Sequence, residues 1–268
     1  MRNLLKVDFY RIFKSKTTLV ALIVSIVMPL LMTGIIALEV LLIEGVDAAS
    51  KDAVLSSTFN MIFQVNYQPF GDMGIVLIVF GSIFVMGDLN SGALRNKVIH
   101  GYKRSEIYFS HQISSLTFFV SLITISSLMQ MLYGLLFFNY NPFGNADMVP
   151  YFLMFLLLGT LTFVMVSSLQ IFLLLGFKNS PLSIIIPIAL GAIFYIVTSV
   201  VSVFVEEGDA IRYVLDIIPT YALRMPNSVL SVGVLEIKDM AINAVATAGF
   251  SILNMLLGLL LFIKKDLK

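Results

Sequence analysis

Long uncharged apolar runs alternate with short polar segments along this chain. The runs occupy residues 17–38, 113–138, 151–177, 179–205 and 240–263. A helix needs roughly 20 mostly apolar residues, at about 1.5 Å rise each, to cross the hydrocarbon core of a membrane. The pattern therefore predicts an all-α integral membrane protein.

A sixth span is predicted around the shorter apolar run that lies between Asp72 and Asp88. This helix reaches a full membrane length if it begins near Gln68, with Pro69 at its first position. Proline is tolerated there because the first N–H groups of a helix have no partner within the helix.

The sequence FKNSPL divides the long stretch 151–205 into two helices, because Asn179 is a favourable N-cap and Pro181 suits a first turn. Six spans result. In chain order they are 17–43, 68–87, 113–138, 150–177, 181–205 and 240–263.

The positions of the charged residues predict the orientation of these spans. Thirteen of the seventeen Lys and Arg residues lie in residues 1–16, the 88–112 segment, position 178 and the C-terminal end. Cytoplasmic flanks of spans are enriched in Lys and Arg. We therefore expect both termini and the 88–112 segment in the cytoplasm, and the 206–239 loop outside.

Composition narrows the function further. The chain has 59% hydrophobic and 12% charged residues and no cysteine, which excludes a disulfide framework and a thiolate nucleophile. No phosphate-binding G-x-x-x-x-G-K-[ST] loop occurs, so the chain is not expected to hydrolyse ATP. The predicted span centres also lack ionisable residues, in contrast to proton relays and intramembrane proteases.

Two weaker patterns suggest metal chemistry. Glu206, Glu207 and Arg212 resemble the EExxxR signature of the CAAX-type intramembrane metalloproteases, but the spacing is one residue too long. His100 and His111 lack a familiar ligand spacing and are expected to be loop histidines. We therefore expect no metal site, no cofactor and no catalytic residue in this chain.

Neutral polar residues interrupt the predicted spans. Four of them carry amide side chains, namely Gln130, Gln170, Asn243 and Asn254. Hydrogen bonds between helices are the favoured role for such residues in a membrane domain, with substrate contact as the alternative.

The first sixteen residues predict an amphipathic helix that lies in the membrane interface. Leu5, Phe9, Ile12 and Phe13 follow helical spacing and form one apolar stripe. Basic residues flank this stripe and would face anionic headgroups. These are Arg2, Lys6, Arg11 and Lys14.

The 88–112 segment predicts a short amphipathic helix between two spans. Leu94, Val98 and Ile99 lie among basic residues, and Gly101 is placed to end the helix. Ser105 with Glu106 could then begin a cytoplasmic extension of the next span. The charges here are explained by topology, so no nucleic-acid partner is expected.

This segment resembles the one between spans two and three of the ABC type-2 transporter permeases. The residues that match are Asp88, Gly92, Leu94, Ile99, Gly101, Arg104 and the IYFSH run. Three residues depart from the family pattern, because Asp88 replaces Glu, Ala93 replaces Thr and His111 replaces Lys. The N-terminal helix and the six-span order extend the resemblance over nearly the whole chain.

The resemblance implies a permease subunit of a bacterial plasma-membrane exporter. Two copies of a separate ATPase would bind ATP and Mg, and a second permease chain, identical or a sister, would complete the pathway. The expected contacts with the ATPase are Asp88, Gly92, Leu94, Arg95, Lys97, Ile99, Lys103, Arg104 and Glu106. An amphipathic, antimicrobial-type peptide is the first expectation for the cargo. A membrane assembly factor or sensor is the alternative, and an intramembrane metalloprotease is the less favoured one.

Overall fold

The described part of the chain is entirely helical. The computed structural model describes residues 1–42, 72–138, 149–177, 180–204, 217–218 and 237–264, which contain eight α-helices and no strand. The prediction of an all-α protein is confirmed for these residues. The predicted outer loop, 206–239, lies almost wholly outside them.

The helices follow the predicted apolar runs closely. Their bounds are α1 (Arg2–Lys14), α2 (Lys16–Leu41), α3 (Asp72–Asn90), α4 (Ala93–Ile99), α5 (Arg104–Phe138), α6 (Val149–Phe177), α7 (Ser180–Phe204) and α8 (Ile237–Lys264). The predicted helix start at Gln68 and Pro69 lies outside the described residues.

Four of these helices are long and apolar enough to cross a membrane. The spanning stretches are Lys16–Ile35, Arg104–Phe137, Leu156–Phe177 and Ala241–Lys264. Helices α3 and α7 contain shorter apolar stretches, Gly74–Gly87 and Pro181–Phe194. Length and composition thus indicate a membrane protein.

Helix α5 begins at Arg104, well before the predicted start of its span at residue 113. Its first turn is stabilised by Glu106, whose carboxylate accepts the backbone N–H of Lys103 at 3.4 Å. This is one half of a capping box. The helical extension expected from Ser105 and Glu106 is thus present, and it continues through Ser110 and His111, which are polar but buried.

Helix α6 lies at the centre of the bundle. In its apolar stretch 61% of the residues are buried, against 22% in α2 and 22% in α8. Aromatic rings fill the space between α3, α5 and α6. Phe84 stacks on Phe118 with ring centroids 5.2 Å apart, and Phe119 lies 6.4 Å from Phe163.

Two of the four predicted amide residues link helices, and a third joins α8 to a residue outside the eight helices. The Gln130 amide donates to the Thr33 hydroxyl at 3.2 Å, and the Gln170 amide donates to the Ile78 carbonyl at 2.7 Å. The Asn243 amide donates to the Ile218 carbonyl at 2.8 Å. The predicted role in helix association is therefore observed for Gln130 and Gln170.

Gly81 of α3 is packed too closely to accept a methyl group. A Cβ atom at this position would lie 2.5 Å from ring atoms of Phe119 and 3.1 Å from the Gln170 Oε1. Phe119 is completely buried and is held between other rings. We expect Gly81→Ala to reduce the free energy of unfolding by about 1–3 kcal/mol through overpacking.

Thermal unfolding of the purified chain in detergent measures this effect. Gly87→Ala, on the same helix, is the matched control, because a Cβ atom at Gly87 meets nothing within 4 Å. Equal Tm values for the two variants would contradict the close packing of Gly81.

Candidate functional site

Several basic segments meet at one end of the helical bundle. The N-terminal amine lies 3.5 Å from the Glu106 carboxylate at the start of α5. The Arg104 guanidinium donates to the Ile263 carbonyl at 2.7 Å and so joins the start of α5 to the end of α8. We call this end, formed by residues 1–16, 88–106 and 261–264, the basic end.

Helix α4 is a short element with a well-defined beginning and end. Gly92, at φ 69°, precedes it and Gly101, at φ 83°, follows it. Both angles fall in the left-handed region, which favours glycine. The N–H of Gly101 donates to the Val98 carbonyl and that of Tyr102 to the Lys97 carbonyl, which is the Schellman pattern of helix ends.

One side of α4 is anchored to the bundle. The Leu94 side chain is 3% exposed and belongs to the main core, together with Leu4, Ile12 and Phe84. Lys97, one turn further along, also points inwards, and its side chain is 11% exposed. The helix is thus held by an apolar contact and by a charged one.

A buried carboxylate receives Lys97. The Lys97 ammonium donates to Asp8 Oδ1 at 2.7 Å, and the Ser110 hydroxyl donates to Asp8 Oδ2 at 2.6 Å. The Lys97 Nζ also lies 3.2 Å from the His111 Nε2. Asp8 thereby joins α1, α4 and α5, and we call Asp8, Lys97, Ser110 and His111 the polar clasp.

The electrostatics of the clasp favour a charged pair. Burial by itself raises the pKa of Asp8. The electrostatic effect of His111 and the hydrogen bonds from Lys97 and Ser110 outweigh it and lower this pKa below its ordinary value. Burial lowers the pKa of Lys97, although the bond to Asp8 opposes this effect. The Asp8 carboxylate therefore stays ionised at neutral pH.

The sequence prediction missed Asp8, although a signal was present. Asp8 is the only acidic residue before Glu39, and it lies four residues from both Leu4 and Ile12. Residues four apart share one helix face. A single carboxylate between two buried apolar positions indicates a buried ion pair.

The predicted apolar stripe of α1 does not share one environment. Ile12 is buried, Phe9 is partly buried against the core and Leu5 is partly buried, whereas Phe13 is 83% exposed. The buried face is formed by Leu4, Asp8 and Ile12. Phe9 and Ile12 of the stripe thus pack on protein rather than forming one continuous exposed apolar side with Phe13.

The predicted ATPase contacts separate into two groups. Arg95, Ile99 and Lys103 are exposed, and Ile99 is exposed to 68%. We call these three residues the outer face; Arg95 and Ile99 lie in α4, and Lys103 lies in the turn between α4 and α5. The other predicted contacts are less accessible or have another role. Leu94 and Lys97 point inwards, while Arg104 bonds to the Ile263 carbonyl and Glu106 to the Lys103 N–H. Asp88 lies in the last turn of α3, and Gly92 directly precedes α4.

His111 is a correction to the sequence analysis, which expected it in a loop. It lies inside α5 and is 1% exposed, whereas His100 is exposed near the end of α4. Within the described ranges no group of three His, Cys, Asp or Glu residues could hold a metal ion. The Glu206, Glu207 and Arg212 pattern lies outside those ranges.

The site is not assigned by similarity. No protein-family model matches this chain, and no curated protein is significantly similar to it. Its interpretation therefore depends on the geometry of the basic end.

Proposed function

We propose that this chain is the permease subunit of an ATP-driven exporter of the ABC type-2 kind, with six spans and both termini in the cytoplasm. In this proposal the six spans are helices α2, α3, α5, α6, α7 and α8, of which four contain a stretch long and apolar enough to cross a membrane. The joining of the N-terminus, the start of α5 and the end of α8 at the basic end supports this topology. A second permease chain and two ATPase copies would complete the transporter.

The observation that carries the proposal is the arrangement of α4. Leu94 and the polar clasp fix one side of this helix to the bundle, while the outer face remains exposed. A force applied to the outer face would therefore reach α1 and α5 directly. Such a rigid, anchored element is suited to transmit the closure of an ATPase dimer to the spans.

The outer face also indicates the chemistry of the partner surface. An exposed isoleucine, Ile99, is four residues along the chain from each of two exposed cations, Arg95 in α4 and Lys103 just before α5. Interfaces commonly place an apolar anchor in a pocket and charged groups around it. The ATPase is therefore expected to offer an apolar cleft with acidic residues at its rim, and to hold ATP and Mg itself.

Purification of the tagged full-length chain from its native host tests the proposal. We expect an ATPase to co-purify with the wild-type chain in mild detergent. Ile99→Asp places a charge in the apolar cleft, and we expect it to weaken binding by roughly 30-fold or more, the scale of an interface hot spot. Arg95→Glu with Lys103→Glu should weaken binding through charge repulsion.

Two matched controls keep the interpretation specific. Ile99→Val preserves an apolar anchor, and Lys264→Glu reverses an exposed cation of the basic end outside α4; both should retain the ATPase. Absence of an ATPase from the wild-type preparation, or full binding by Ile99→Asp, would contradict the proposal. Retention of a partner without ATPase activity would favour the assembly or sensor function instead.

The cargo is proposed to be an amphipathic, antimicrobial-type peptide. This part of the proposal is supported only by the resemblance of the 88–112 segment. Peptide-stimulated ATP hydrolysis by the co-purified complex in lipid vesicles would test it. Stimulation by such a peptide supports the assignment, and an unchanged rate contradicts it.

A further inference from the structure

Helix α7 continues through a proline. It runs from Ser180 to Phe204, and Pro187 lies inside it. Proline has no N–H, so residue 187 cannot give the usual helix hydrogen bond to the carbonyl of Ser183, four residues earlier. Ser183 is fully buried. In the interior of a membrane bundle such a carbonyl is stable only if a group of a neighbouring segment bonds to it.

Helix α3 supplies a donor to this carbonyl. The Ser82 hydroxyl donates to the Ser183 carbonyl oxygen at 3.3 Å, and Ser82 is fully buried as well. The Ser82 Oγ in turn accepts a bond from the Gln170 Nε2 of α6 at 2.9 Å, and this Nε2 also donates to the Ile78 carbonyl at 2.7 Å. Three helices thus meet at the carbonyl that loses its helix bond to Pro187. We call Gln170, Ser82 and the Ser183 carbonyl the relay.

The bonds of the relay are unequal. The two bonds from Gln170 have ordinary lengths and join α6 firmly to α3. An O–H···O bond usually measures about 2.5–3.0 Å, so the bond of 3.3 Å from Ser82 to Ser183 is long and correspondingly weak. The weakest bond of the relay is therefore the one that holds α7, at the point where the helix's own bonding is interrupted.

The segment of α7 after Pro187 leads away from the basic end. A Cβ atom at Gly176, near the end of α6, would lie 3.3 Å from the Leu261 side chain of the basic end, and α7 begins four residues later. Beyond Pro187 the side chains of Ile193, Ile196 and Val200 are each more than half exposed. This segment therefore packs loosely on its own bundle.

We propose that α7 is hinged at Pro187 and that the relay holds this hinge in one position. When the bond from Ser82 to Ser183 opens, the segment after Pro187 tilts relative to the segment before it, whereas α3 and α6 stay joined. Prolines are the commonest sites of sharp bends in helices. A bend of about 20° over the stretch from Pro187 to Ile196 moves its end by about 5 Å, at about 1.5 Å rise per residue.

Spin labelling tests the proposal in the full chain, which contains no cysteine. Pairs of cysteines at exposed positions of α7 and α8 receive nitroxide labels, and pulsed electron–electron resonance gives their distance distribution. Ile196→Cys with Val245→Cys, the distal pair, reports on the segment after Pro187; Ile185→Cys with Leu260→Cys, the proximal pair, reports on the segment before it.

Ser82→Ala removes the hydroxyl that bonds to the Ser183 carbonyl. We expect this substitution to shift or broaden the distance distribution of the distal pair by about 5 Å, the displacement that a bend of about 20° produces. The distribution of the proximal pair should stay unchanged, because its α7 label precedes the hinge.

Two further variants control the measurement. Ser127→Ala makes the same change at a buried serine whose hydroxyl bonds to the Ile123 carbonyl of its own helix, and it should leave both distributions unchanged. Pro187→Ala restores an N–H that the Ser183 carbonyl can accept. Added to Ser82→Ala, it should return the distal distribution to that of the parent protein, and Ser82→Ala should lower the Tm less in this background than beside Pro187.

Three results would overturn the proposal. Identical distal distributions for Ser82→Ala and Ser127→Ala would mean that the relay does not hold α7. Equal changes in the distal and proximal pairs would mean that α7 moves as a whole and has no hinge. A change that persists after Pro187→Ala is added would mean that the motion does not arise at the proline. None of these measurements involves an ATPase, so the proposed transport function keeps its own test.

Discussion

Asp8→Asn is expected to lower the free energy of unfolding of this chain by about 3–5 kcal/mol. The Asp8 side chain is 2% exposed and that of Lys97 11%. The substitution leaves the Lys97 ammonium largely buried without its counter-ion, and an uncompensated buried charge costs about this much. Thermal or denaturant unfolding of the purified protein in detergent measures the effect.

Glu106→Gln is a matched control that shows whether the loss of stability depends on the burial of the ion pair. Glu106→Gln makes the same chemical change in an ion pair whose side chains are 44% and 36% exposed. Exposed pairs typically contribute up to about 1 kcal/mol, so this variant should remain close to wild type. If Asp8→Asn were as stable as Glu106→Gln, the polar clasp would not hold α4 in place.

A double variant tests the cause. Asp8→Asn combined with Lys97→Met removes both charges, and we expect it to be more stable than Asp8→Asn alone. A double variant that is no more stable than the single one would show that the loss does not arise from the buried ammonium.

The same pair gives a pH dependence with a defined sign. The folded-state pKa of Asp8 lies below the ordinary value of 3.8, so the unfolded chain binds the proton more readily. The contribution of the pair is therefore fully present above that value and is lost as the pH falls through the folded-state pKa. Asp8→Asn should lack this part of the acid-induced loss of stability.

Gly258→Ala is the second substitution with a large expected effect. A Cβ atom at Gly258 of α8 would clash with the Tyr108 hydroxyl of α5 and lie 3.1 Å from the Phe172 Cα of α6. A backbone atom cannot move aside without shifting a helix. We expect the free energy of unfolding to fall by about 1–3 kcal/mol, because cores tolerate added methyl groups poorly.

Gly249→Ala, on the same helix, is the control for this substitution. A Cβ atom at Gly249 meets nothing within 4 Å, so its Tm should equal or slightly exceed that of the wild type. A Tm of Gly258→Ala equal to that of Gly249→Ala would contradict the close approach of α8.

A second substitution tests which atom the new methyl group meets. Adding Tyr108→Phe to Gly258→Ala should restore part of the stability, since it removes the hydroxyl that the methyl group meets. The hydroxyl has no hydrogen-bond partner in the described part of the chain, so Tyr108→Phe alone should lower the Tm very little.

The short helix α4 illustrates how much of the site the sequence predicts. Helical spacing of apolar residues and the glycine at position 101 predicted a helix here and its end, and the structure has the helix at Ala93–Ile99 with Gly101 in the left-handed region. The pattern did not predict which cations face outwards. Arg95 and Lys97 look alike in sequence, but only Lys97 is turned towards a carboxylate, and that carboxylate lies 89 residues away.

The start of α5 is a second place where the sequence pattern predicts only part of the structure. Ser105 and Glu106 predicted a helical extension here, but His111 was expected in a loop because the apolar run begins only at residue 113. Burial among α1, α4 and α5 lets Ser110 and His111 continue the helix, because neighbouring side chains bind their polar atoms. Such compensation depends on contacts between segments and leaves no periodic trace.

The sequence by itself determined the helical class, the approximate bounds of the helices and the concentration of basic residues in a few segments. These properties follow from local composition, because a run of about 20 apolar residues can bury its backbone only as a helix in a membrane. Only the tertiary structure decided that Asp8 and Lys97 pair, that Gly81 and Gly258 must remain without a side chain, and that Tyr10 and Phe13 face away from the bundle. Each of these depends on the rotation of one helix relative to another, which is set by packing between segments distant in the chain.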